Sequence, residues 1–126
     1  MKNGKETNKT DELRERLLSF SVDILKFLKT IPFDKEYDVL RYQLSKSATS
    51  IGANYEESQS ATYKEFVNKN RIALREAKES IYWLKIMQRL QIGNAESLKH
   101  LIHECMEISN IFGSIVSKAD KKQNKN

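Results

Sequence analysis

The sequence is poor in everything that interrupts a helix. Proline occurs once, at Pro32, and glycine four times in 126 residues. That scarcity argues against a sheet protein with many tight turns and favours long helices. Cysteine also occurs once, at Cys105, so no internal disulfide is available. No apolar run approaches the roughly 18 residues of a membrane span. The opening MKNGKETNKTDE lacks the apolar stretch of a secretory signal, and the expected location is the cytoplasm, with no membrane partner. A Walker loop, a GxGxxG turn and zinc-ligand spacing are all missing. One sign of charge is in excess: 22 Lys and Arg against 17 Asp and Glu give +5, which leans towards acidic partners.

What remains is helical periodicity. A first stripe steps through Leu13, Leu17, Phe20, Ile24, Phe27 and Ile31, widened by Leu18, Leu25 and Leu28. Thr10 is the expected N-cap, with Asp11 and Glu12 at the positive helix start. Pro32 is the expected stop. A second helix spans about Glu36 to Ser58 on Leu40, Leu44, Ala48, Ile51 and Tyr55. Its later turns are rich in small residues, and Gly52 and Ala53 are expected at a close helix crossing. Thr62 to Glu65 reads as a capping box that opens a third helix. Phe66, Ala73, Leu74, Ala77, Ile81, Leu84 and Met87 form its expected buried face. Gly93 and Asn94 separate it from a fourth, with Leu98, Leu101, Cys105, Ile108, Phe112 and Ile115 inward. Four amphipathic segments with short connections predict an all-α, antiparallel up-down-up-down four-helix bundle over residues 11–117. Residues 1–10 are expected to be a flexible N-terminus and 118–126, KADKKQNKN, a disordered basic tail.

Two sets on the third helix are candidate binding surfaces. Lys64, Arg71, Arg75, Lys78, Lys85 and Arg89 fall on one side at 100° per residue, with Tyr82 among them. Arg71 with Arg75, and Lys85 with Arg89, are like-charge pairs one turn apart, each destabilising by a few tenths of a kcal/mol, roughly. Such a stripe needs anions from elsewhere. One source is a phosphate backbone, with Tyr82 stacking on a base. The other is a set of acids on neighbouring helices or subunits, namely Glu56, Glu57, Glu104 and Glu107; the protein is then a protein–protein scaffold with no nucleic-acid binding. The second set, Ile72, Trp83, Ile86 and Leu90, is an apolar flank beside the core face and a candidate oligomer interface.

Nothing in the pattern supports catalysis or a bound metal. His100, His103, Glu104 and Glu107 lie near one another but off the apolar face, and the Glu-x-x-His of bundle di-iron sites is missing. Cys105 sits at a core position and reads as a small hydrophobe. Glu56 and Glu57, at consecutive helix positions, point about 100° apart and share no site. No cofactor is expected.

The segments SATSIGANYEE and KEFVNKNRIALREAKESIYWL resemble the four-helix-bundle family of the 23S rRNA intervening-sequence proteins, and the likeness runs from about Leu13 to Val116. Gly52 stands where many members carry Pro. The family is more distantly similar to the accessory variability determinant of diversity-generating retroelements. The resemblance implies a homopentamer without enzymatic activity. It also implies association with RNA or DNA, or with a nucleic-acid-processing protein.

Overall fold

The computed structural model describes residues 8–124. They form four helices: α1 (Lys9–Leu28), α2 (Lys35–Ser58), α3 (Tyr63–Arg89) and α4 (Ala95–Asn124). α1 packs against α2 and α4, and α3 against the same two, while across the diagonal Tyr55 of α2 meets Phe112 of α4 edge-on through the core. That is the expected all-α up-down-up-down bundle, and short connections enforce it.

The helix ends follow from local hydrogen bonding. α1 starts earlier than expected: Asn8 is its N-cap, its side chain accepting from the Asp11 amide at 3.0 Å, and Thr10 lies in the first turn. The part of segment 1–10 that is described is therefore ordered helix start; residues 1–7 lie outside the described residues. α1 also stops before Pro32. Lys29 caps it, and the Thr30 hydroxyl closes the turn on the Phe27 carbonyl at 2.6 Å. Asp34 caps α2, accepting from the Tyr37 amide at 2.8 Å. Thr62 caps α3 by accepting from the Glu65 amide. The Glu65 carboxylate takes the Thr62 hydroxyl rather than the Thr62 amide, so only half of the reciprocal box forms. Between α3 and α4, Gly93 adopts φ +77°, and a Cβ there would lie 2.7 Å from Cζ of Phe27.

The core runs along all four helices, with Phe20, Ile24, Leu44, Ile51, Leu84, Leu98, Ile108 and Phe112 fully enclosed. On α3 the buried line is Val67, Asn70, Ala73, Ala77, Ser80, Leu84 and Met87. Phe66, Leu74 and Ile81, expected inside, are half-buried shoulders of that line. Apolar patterning missed Asn70 and Ser80 because both are polar. Each satisfies a group on its own helix: Asn70 Nδ2 donates to the Phe66 carbonyl at 2.8 Å, and Ser80 Oγ to the Glu76 carbonyl at 2.9 Å. Ser80 also meets Ser47 of α2 at 2.7 Å, and Cys105 Sγ of α4 donates to the Ala77 carbonyl at 3.4 Å. On α1, Leu28 is buried as expected, whereas Leu18 and Leu25 face solvent. Gly52 faces Leu17 across a close α1–α2 approach; Ala53 beside it is exposed, so the small residues there serve a crossing at one position only.

The basic tail departs most from expectation. α4 continues through Lys118, Lys121 and Lys122 to Asn124. Two contacts with α3 and one buried side chain hold this extension. Ala119 is buried, one heptad after Phe112, Asp120 forms an ion pair with Arg71, and Lys122 Nζ stands 4.8 Å from the centre of the Tyr63 ring. A run dominated by lysines concealed one small apolar residue in register and one acid with a partner. Lys125 and Asn126 lie outside the described residues.

Two glycine substitutions should part in sign. Gly52→Ala places a Cβ at 3.4 Å from Leu17 Cβ, ordinary contact, inside a helix. It should stabilise by about 0.5–1 kcal/mol in chemical denaturation. Gly93→Ala forces a positive φ against the Phe27 ring and should destabilise by at least 1–2 kcal/mol, roughly. Cys105 is enclosed, and burial pushes its thiol up to about 12. It should resist a thiol-specific disulfide reagent at pH 8 in the native protein and react at once in denaturant.

Candidate nucleic-acid interface

α3 is 27 residues long, about 40 Å at 1.5 Å per residue. Its outward side carries the whole predicted row: Lys64, Arg71, Arg75, Lys78, Tyr82, Lys85 and Arg89 are all exposed. They occupy an arc of roughly 80° about the helix axis at 100° per residue. The reason is the inward line. Once Ala73, Ala77, Leu84 and Met87 face the core, these positions must point out.

Four acids of the neighbouring helices, the candidates to neutralise this row, are engaged elsewhere. Glu56 takes a two-pronged contact from Arg14 of α1, one prong at 2.7 Å. Glu104 accepts from Arg16 at 2.7 and 2.8 Å, and Glu107 accepts from the same guanidinium at 3.2 Å. Glu57 pairs with Lys69 at 2.9 Å. The hydrogen bond from Arg16 holds the Glu104 carboxyl below its ordinary range, and that from Arg14 does the same for Glu56. Within the row, Arg71 alone has an acid, Asp120 of α4. Among the described residues, Lys64, Arg75, Lys78, Lys85 and Arg89 form no ion pair. Glu76, next to Arg75 on the helix itself, is half-buried; burial first, then Glu79, raise its pKa, while Lys46 and Arg75 pull it down.

Tyr82 is 60% exposed and meets Trp83 edge-on, ring centres 5.2 Å apart. Trp83 in turn donates its indole N–H to Glu79 at 3.1 Å. Tyr82 is thus a supported ring inside a cationic row. Sequence reasoning places the tail lysines in a disordered segment; α4 carries them as helix instead. Lys118, Lys121 and Lys122 stand next to the start of α3, because α4 stays helical.

The apolar flank is less free than its pattern suggests. Ile72, Trp83 and Ile86 are half-buried, the latter two packing on the subunit's own core, and Leu90 is 54% exposed. The larger bare apolar face is on α1, where Leu18, Val22 and Leu25 point to solvent. Their steps of four and three place them on one side, a signal that the reading of Leu18 and Leu25 as core had absorbed. His100 and His103 are exposed, and no group of His, Cys, Asp and Glu suited to a metal occurs among the described residues. No described helix is long and apolar enough to cross a membrane.

No protein of curated function matches the chain. Among solved structures, a protein of unknown function from the S23 ribosomal protein family of Bacteroides thetaiotaomicron VPI-5482 is similar, with 33% identity and a TM-score of 0.74. The match covers 86% of this chain and 98% of that one. The family model described as 23S rRNA-intervening sequence protein matches residues 10–114. That span takes in the crossing at Gly52, the capped start of α3 and its entire cationic row, and the chain belongs to the 23S rRNA-intervening sequence protein family.

Proposed function

We propose that this protein is a non-enzymatic bundle that binds RNA or DNA along α3 and acts as a homo-oligomer, with five copies as the assembly. The observation that carries the reading is the unbalanced row. Five exposed cations and a supported tyrosine lie along one helix, while Glu56, Glu57, Glu104 and Glu107 of the neighbouring helices are held by Arg14, Arg16 and Lys69. Cations spaced along a rigid rod suit a phosphate backbone, and a ring such as Tyr82 suits a base face. In an oligomer the row repeats, so weak sites add by avidity. The exposed α1 face and Leu90 supply apolar surface for self-association, which supports the oligomer. The same α1 face favours the second reading, a scaffold whose partner is another protein, in which acids of adjacent subunits neutralise the row.

The triple reversal Arg75→Glu, Lys78→Glu, Lys85→Glu separates these readings. All three side chains are exposed and without an ion pair, so stability should change little. Nucleic-acid affinity should fall by a factor of ten or more, with oligomer mass unchanged. Light scattering on the parent at micromolar concentration should return a mass several times 14.7 kDa. The scaffold reading predicts instead that the reversal loosens the oligomer and that the parent binds no nucleic acid. A monomeric parent would overturn the assembly.

A further inference from the structure

We infer that the end of the bundle where α3 begins holds a pocket for a single unstacked nucleotide, base inward and phosphate at the rim. The inference rests on the nucleic-acid reading above and adds a second, differently built contact. Helix register creates the pocket. Arg16 of α1 lies opposite Glu104 and Glu107 of α4, so the first turn of α1 lies opposite Ile111 and Ser114. α4 then runs on past the start of α1. The overhang is held from the other side by α3, through the Arg71–Asp120 pair and Lys122 over Tyr63, with Ala119 buried next to Asp120 in sequence. The seam between α1 and α4 therefore opens at this end into a cavity of about 640 Å³ that reaches all four helices. Sites for small ligands occupy about 300–1,000 Å³.

The lining has the chemistry of a nucleotide rather than of an acyl chain. Leu13, Ile111 and Ile115 give apolar walls, and Tyr55 and Phe66 supply aromatic surface. Thr10, Gln59 and Ser114 interrupt them with hydroxyls and an amide. An alkyl chain laid across these groups would leave them without partners, at a cost. A base edge offers donors and acceptors in its own plane, and its faces suit aromatic and aliphatic walls. Lys9 and Lys118 stand at the rim, one on each side of the seam, placed for a phosphate. Arg16 also lines the cavity, but Glu104 and Glu107 take its charge. Glu12 is the one carboxylate in the lining, suited to accept from an exocyclic amine. Lys118 is also continuous with Lys121 and Lys122, which lead towards the start of the α3 row. A strand tracked along α3 can thus turn one nucleotide into the bundle end, which a duplex cannot do without unpairing.

Two measurements on the full chain test this. In the first, isoleucine methyl resonances are followed while nucleoside monophosphates, and separately inorganic phosphate, are added. Shifts at Ile111 and Ile115 with a nucleoside monophosphate but not with phosphate are expected. No shift at either residue with any of the four common monophosphates would overturn the pocket, and so would equal shifts with phosphate alone. In the second, Ser114→Trp fills the cavity from an exposed position. It should weaken binding of a short single-stranded RNA about tenfold and leave duplex RNA of the same length unaffected. Unchanged single-strand affinity in Ser114→Trp, with loss in the α3 triple reversal, would remove the pocket and keep the row. Nucleotide-specific methyl shifts with no polynucleotide binding by the parent would keep the pocket and remove the row.

Discussion

The contact on which the rest of the structure depends is the seating of α3 between α2 and α4. The middle of its inward line is built of small residues, Ala73, Ala77 and Ser80, which let both neighbours approach. The Ser47–Ser80 hydroxyl pair ties it to α2 and the Cys105 thiol to the Ala77 carbonyl ties it to α4. Neither bond is worth more than about 1 kcal/mol net. Their value is positional, since a buried hydroxyl without its partner costs more than the bond contributes. Fixing the rotation of α3 in this way fixes what it shows outside, and the cationic row is the opposite face of that buried line.

The charge pattern follows from the same geometry. α1 brings Arg14 and Arg16 to the acids of α2 and α4, and those pairs are satisfied within the subunit. They are largely surface pairs, of modest worth for stability. Their consequence is that Glu56, Glu104 and Glu107 are committed to α1. The row keeps its self-repulsion, a cost that a bound polyanion would relieve.

Much of this was legible in the sequence, for reasons that differ by element. The helices, their order and the exposed row follow from 3.6-residue periodicity and from Pro32, Thr62 and Gly93 as boundaries. The inner line of α3 was legible only in part, because Asn70 and Ser80 are polar residues whose burial depends on carbonyls of their own helix. Leu18 and Leu25 look like core in a one-dimensional pattern, yet only two neighbouring helices cover α1. The α4 extension was lost because lysines dominate its composition. Its order depends on Asp120 and Lys122 meeting Arg71 and Tyr63, about fifty residues or more away in sequence, and on the burial of Ala119. The pocket depends on the relative register of α1 and α4, and no local pattern encodes that.

The central claim is that the unpaired row on α3 meets phosphates. The most direct measurement is the affinity of the parent protein for single-stranded RNA as a function of salt concentration. Five cations without acids in the subunit should release counterions when phosphates replace them. The slope of log affinity against log salt should then lie near −3 to −4 per subunit, at about 0.7 per contact. A slope near zero, or no binding at low salt, would contradict the account.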